Sequence, residues 1–452
     1  MSVVPGEIDT DQQPPMTIPL RHFVVAAGFL VAGALLGVGM ATDLAPGVAT
    51  LAHVHLLLAG WVCITIMGAM TQFVPVWSNA ALHSRRLATA QLWLVVAGLL
   101  GFAASFLADA LALLPVFGAV MLVGFWTFVY NVGRTLWSVD SYDVTERHFA
   151  LALGFFLLVT TFGFLLALDF THPVLAGLGI SHQRLLAAHA TLAVFGAVLT
   201  TVFGALYQLG TMFTQTELHG IDHHLRRVEE VGYPLGVLAL AGGRLVGNTA
   251  LARDGGLLIV VAVVGIAAIL ARKLIETRVE WTPMLSRYAV AAPALGLWAV
   301  LTAPAWLADP LAPAALFGAP GASHLLLLGG VGFVVLGTLY HVVPFIVWVH
   351  RYSDRLGFED VPMIDDLYDG QLATVDFALL TAGTALLVVG DLLSLPVSVT
   401  ALGGVLVTFG AAAFAANLLL VLRDHSPQSI PAIMVSRLAE RERADGSEEK
   451  AA

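Results

Sequence analysis

Lysine and cysteine are almost missing from this 452-residue chain, and charge of either sign is scarce. Only 12% of residues are charged, against roughly 25% in an ordinary soluble domain. A water-soluble fold of this size needs a charged coat, so that class is excluded. The single cysteine, Cys63, lies inside an apolar run. That rules out a disulfide framework, a thiolate metal cluster and a C-x-x-C-H attachment site. Of 21 basic residues, only Lys273 and Lys450 are lysines, and the net charge is −10. Acidic tails with arginine in place of lysine suggest a salt-adapted prokaryote such as a haloarchaeon, and no nucleic-acid partner is expected. The first 18 residues carry no basic n-region, so no cleavable signal peptide is expected.

What the chain has is long apolar runs. It is 58% hydrophobic, with a mean hydropathy of +0.87. Runs of about 20 residues recur from Leu20 to Leu422, each long enough to cross a hydrocarbon core. Backbone in lipid must satisfy its own hydrogen bonds, and unbroken apolar runs do so as helices. The expected fold is all-α, an integral bundle of twelve transmembrane helices. The spans fall at about 20–41, 51–77, 88–108, 111–137, 148–168, 183–209, 231–249, 255–272, 288–307, 323–349, 371–391 and 397–422. One membrane domain, 19–423, lies between polar tails at 1–18 and 424–452.

The loops orient the bundle. Loops after even spans carry Arg85, Arg86, Arg134, Arg147, Arg226, Arg227, Arg272, Lys273, Arg278, Arg351 and Arg355. Loops after odd spans carry Asp43, Asp109, Asp309 and Asp391, with Arg184 and Arg253 as exceptions. The positive-inside rule then puts both termini in the cytoplasm of a plasma-membrane protein. Spans two, six and ten begin on the outer side.

Those three spans share a pattern. His55 is followed by Gly68 at +13 and Pro75 at +20, and His324 by Gly337 and Pro344 at the same offsets. With 44 Gly and 20 Pro in 452 residues, a given His meets both by chance less than one time in a hundred. Span six is looser: Gly204 lies 15 after His189, as Gly68 lies 15 after His53, and Tyr207 follows its glycine by three, as Tyr340 does. Recurrence every four spans implies three four-helix units around a pseudo-threefold axis. Small residues also serve helix packing, but packing does not account for a histidine at the same depth in each unit.

Ionisable residues in a membrane default to functional hypotheses, and neutral imidazole suits heme iron. His53 and His55 are two apart, about 200° around the helix, so they face opposite sides of span two.

Spans two, six and ten, with the twelve-span layout, resemble the catalytic subunit of the heme–copper oxidase and nitric oxide reductase superfamily. In that family the second His of an H-x-H on span ten and a His at the outer end of span two bind the low-spin heme. The resemblance implies a bis-histidine heme b held by His53 and His324. The same family needs a His on span six and a His pair on span seven for copper, and a high-spin ligand on span ten. Here those positions hold Thr191, a seventh span from Gly232 to Asn248 without His, and Ala322. No copper and no binuclear centre are expected. No Glu or Asp stands in mid-span to relay protons; Asp376, Asp391 and Glu230 lie near span ends.

Rotation by one repeat pairs His55 with His189, which implies a second bis-histidine heme between spans two and six. Arg184 either pairs with a heme propionate or is a loop charge. His341, 17 residues past His324 and roughly 25 Å deeper, either bonds across helices or lines a quinol or proton site. The expected function is a b-type electron-carrying cytochrome of a respiratory chain. Its expected partners are quinol, an extracytoplasmic carrier such as a small copper protein, and further subunits or a second copy. The alternatives are an atypical oxidase or nitric oxide reductase subunit, and a heme or small-molecule transporter or sensor.

Overall fold

The structure is a computed structural model that describes residues 14–435. Twelve long helices follow one another among these residues: α1 (Thr17–Ala41), α2 (Ala49–Trp77), α3 (Arg85–Leu107), α4 (Leu111–Leu136), α5 (Val144–Asp169), α6 (His182–Thr214), α7 (Asp222–Val246), α8 (Thr249–Ile275), α9 (Pro283–Ala308), α10 (Leu325–Arg351), α11 (Gly370–Leu392) and α12 (Val397–His425). Short polar caps start several of them. Ser84 accepts from the Leu87 N–H, Thr282 from Leu285, and Asp369 from Gln371 and Leu372. Asp143 and Glu146 form a reciprocal capping box at the start of α5. Each cap satisfies backbone donors that the first helical turn leaves free.

Eleven of these helices are long and apolar enough to cross a membrane. Large apolar side chains such as Trp126, Leu157, Val261, Val300 and Phe409 are exposed on the outside of the bundle. Lipid tolerates such a surface and water does not, and the chain is a multi-pass membrane protein.

The exception is α7, expected over 231–249 but starting at Asp222. Its first third, DHHLRRVEE, is helical despite its charge. Asp222 bonds Arg272 and Lys273 of α8 there, at 2.8 and 3.2 Å. The buried side of α7 runs Glu229, Tyr233, Val237, Leu240 and Arg244, a spacing of one helix face. Val231, Leu235 and Leu238 are exposed on the other face.

Matching features recur at four-helix intervals. The helices α2, α6 and α10 form the centre: 67%, 78% and 83% of their most apolar stretch is buried, against 28–61% in the other eight apolar spans. Each of the three widens into a π-helical segment, at Leu56–Cys63, Leu192–Val198 and Leu325–Gly332. The third and fourth helices of each quartet pack backbone to backbone. A methyl at Gly98 would come to 2.6 Å of Met121 N, at Gly243 to 2.5 Å of Ala252 N, and at Gly383 to 2.7 Å of Gly403 O. Only glycine permits these approaches.

Of the expected tails, 1–13 and 436–452 lie outside the described residues. Residues 430–435 are not free: the helix α13 (Ile430–Val435) returns to α1, where Arg21 Nε donates to Ile433 O at 2.8 Å and Ile433 is buried.

Candidate functional site

The four histidines singled out by sequence lie at one end of the central helices. His55 and His324 each immediately precede the π-helical segment of their helix, and His189 precedes its own by three residues. π-Turns add a residue to the helix and gather at functional sites. His53 turns toward α1, where its Nδ1 lies 2.9 Å from Gly33 O. His55 turns the other way, against Phe102 and Phe106 of α3, with ring centroids at 5.1 and 6.0 Å and Nδ1 2.7 Å from Leu51 O. His189 Nδ1 is 2.9 Å from Val159 O on α5. His324 Nδ1 is 2.5 Å from Asp391 Oδ2, at the end of α11.

All four Nδ1 atoms thus face an oxygen acceptor, which fixes the Nδ1–H tautomer. No hydrogen bond reaches Nε2 of any of the four among the described residues. An imidazole whose Nδ1–H is held this way presents the Nε2 lone pair to a metal. The four fall into two pairs close enough for their charges to interact, His53 with His324 and His55 with His189. The Asp391 contact was not read from sequence, where Asp391 counted only as a loop-side charge. Its signal was there: an acid at the outer end of span eleven, level with the start of span ten.

Arg184 sits elsewhere. It precedes His189 by five residues, about 140° around the helix. Its guanidinium lies against Gly247, where α7 ends in a left-handed turn at φ 74°. The His341 ring lies tilted against Phe213 of α6, with centroids at 4.3 Å, and stacks on Phe345 at 6.1 Å. Among the described residues it makes no hydrogen bond.

The third region of the histidine layer, between α6 and α10, contains Thr191 and Ala322 and is filled. Trp298 and Trp306 meet edge to face at 5.6 Å, and both contact Phe195. Arg244 reaches in from α7, with Nη1 donating to Thr191 Oγ1 at 2.7 Å and Leu316 O at 2.9 Å. Its Nη2 donates to Ala315 O at 3.0 Å and its Nε to Pro310 O at 3.1 Å. The loop after α9 is tied into this region by those bonds and by the indoles of Trp298 and Trp306, which donate to Phe317 O and Ala315 O.

Toward the other end of the bundle stand polar clusters that sequence reasoning passed over. The repeat glycines Gly68, Gly204 and Gly337 receive the Cβ atoms of His22, His148 and Arg287 from the first helix of their quartets. Glu229, not its neighbour Glu230, is fully buried; it bonds His148 Nε2 at 3.1 Å and the Tyr207 hydroxyl at 2.8 Å. Asp376, also fully buried, bonds Arg287 and the Tyr340 hydroxyl. Both acids stand about two turns into the third helix of their quartet.

No known family's sequence profile matches the chain, and no curated protein matches it by sequence. Solved structures do. One, described as a heme-copper terminal oxidase dimer, superposes with a TM-score of 0.68 over 92% of this chain and 85% of that one, at 14% identity. The chain shares the fold of a heme–copper terminal oxidase. The recurring α2, α6 and α10 are then the central helices of an oxidase-like bundle.

Proposed function

We propose that the chain is a membrane cytochrome that carries electrons through a bis-histidine heme b ligated by His53 and His324. The observation that carries this reading is the pair itself. Two imidazoles at the starts of α2 and α10 lie within electrostatic reach of each other, each with Nδ1 bonded to oxygen and Nε2 unpartnered, in an oxidase-like fold. That donor set fits heme iron. A heme with both axial positions filled exchanges single electrons and resists binding gases.

The residues divide the work. Gly33 O and Asp391 orient the two rings, and the carboxylate makes His324 the stronger donor. The packed Trp298–Trp306–Arg244 region occupies the space beside α6 and α10, where a second, gas-reducing metal centre would need ligands and room.

The bundle comprises three four-helix units about a pseudo-threefold axis, and α7 is the twelfth span, its Glu229 and Arg244 turned inward and its apolar face outward. Both termini are cytoplasmic, so the imidazole layer faces outward. Electron partners are membrane quinol and an extracytoplasmic carrier such as a small copper protein.

The test is a reduced-minus-oxidised spectrum of purified protein with a heme count. A low-spin b-type spectrum that His53→Ala and His324→Ala abolish or convert to high spin is expected. Purified protein without Soret absorption refutes the reading and favours a transporter or sensor.

A further inference from the structure

We infer that a second bis-histidine heme is held between α2 and α6 by His55 and His189. The inference rests on the ligand chemistry proposed for His53 and His324, but different observations carry it.

The setting of His189 duplicates that of His53. In both, Nδ1 lies 2.9 Å from a carbonyl oxygen on the first helix of the quartet, Gly33 in one case and Val159 in the other. In both, the ring lies over a glycine four residues farther along that helix, Gly37 or Gly163. A methyl at Gly37 would meet the His53 ring at 2.9 Å from Cε1, 3.3 Å from Nδ1 and 3.8 Å from Nε2. At Gly163 the distances to the same atoms of His189 are 2.8, 3.3 and 3.8 Å. The two rings therefore have the same orientation relative to their quartets, to within about a tenth of an ångström.

The partners correspond as well. His55 and His324 are each the last residue before a π-helical segment, with Nδ1 engaged and Nε2 free. His55 is near enough to His189 for their charges to interact, as His324 is to His53. If His189 served only to tie α6 to α5, its Nδ1 bond would suffice. That role leaves unexplained a second imidazole within electrostatic reach and two Nε2 atoms without a hydrogen-bond partner. Both rings are half-buried with one nitrogen unpartnered, and one iron ligated by both would engage the two nitrogens. The third region, with Thr191 and Ala322, lacks both imidazoles and is packed, so the inference stops at two.

The experiment is a heme count and spectroelectrochemical titration of the purified full-length protein and its variants. Two hemes per chain are expected, falling to one in His55→Ala and in His189→Ala, with the His53–His324 component intact. One heme per chain, unchanged by His189→Ala, overturns the second site and leaves the first standing. No heme overturns both. Because His189→Ala also removes the bond from α6 to Val159 O on α5, His189→Met is the companion: it keeps a ligand and must give one component a His–Met spectrum and a raised potential. An unaltered spectrum in that variant overturns the proposal. Gly163→Ala should shift one redox component and Gly37→Ala the other; a structural histidine predicts no such division.

Discussion

Asp391→Asn tests the heme site proposed at His324 through its potential. The carboxylate oxygen lies 2.5 Å from His324 Nδ1, and its charge pulls the Nδ1 proton, making the ring a stronger donor to ferric iron. Asparagine keeps an oxygen that accepts the bond and removes the charge. Outer-shell partners of a metal-bound imidazole are worth about 10–100-fold in metal affinity. For a one-electron couple, tenfold corresponds to about 59 mV, so a loss confined to the ferric state raises the potential by about 60–120 mV. The side chains of His324 and Asp391 are 36% and 27% exposed, and solvent screens the charge, so the lower end is expected. The assay is a spectroelectrochemical titration with the low-spin spectrum as a check on ligation. Only the component ligated by His324 should move. An unchanged or lowered potential with heme retained would refute the assignment of Asp391 as that ligand's partner.

Three further outcomes follow. Carbon monoxide should bind the reduced wild-type protein poorly and bind His324→Ala readily, because the variant opens an iron face; strong binding to wild type at a stoichiometric level would show an open site. Arg244→Leu removes the donor from Pro310 O and Leu316 O, at about 1–3 kcal/mol each if left buried and unpaired, while Ala315 O keeps the Trp306 indole, so its thermal unfolding in detergent should drop by several degrees, and an unchanged Tm would show that the packed region does not depend on Arg244. Electron transfer between outer-side partners in proteoliposomes should not respond to an imposed potential, since a charge crossing the full membrane would feel about 2.3 kcal/mol per 100 mV; a steep dependence would place the path across the bilayer.

The bundle was legible because its signal is summed over hundreds of residues. Apolar runs marked eleven helices within a few residues, and the histidine–glycine spacing marked α2, α6 and α10 as a related set. What the sequence hid depends on single contacts between distant segments. The start of α7 was missed because DHHLRRVEE reads as loop until Arg272 and Lys273 are seen beside Asp222. Glu229 was missed because its burial follows from helix phase, and Glu230, one residue on, is instead paired with Arg147 nearer the surface. The 67-residue separation of His324 and Asp391 has no local pattern at all. The packed region by Arg244 is assembled from α6, α7, α9 and a loop, and no stretch of sequence announces it.

The three quartets have kept one scaffold and changed what it holds at each end. At the imidazole end, two interhelical regions contain facing histidines and the third contains indoles and an arginine. At the other end the pattern is reversed in emphasis. The second and third quartets hold a buried acid bonded to a tyrosine and to a histidine or an arginine, as His148–Glu229–Tyr207 and Arg287–Asp376–Tyr340, whereas the first quartet buries His22, Thr71 and Gln91. His53 and His55 are two residues apart on one helix, with a rise of about 3 Å between them, so the residues that would hold the two proposed hemes share one depth. A terminal oxidase must bring protons and electrons to a gas inside the bilayer; the packing of Trp298, Trp306 and Arg244 beside α6 and α10 and the single layer of imidazoles are the features that favour the proposed electron relay over that chemistry.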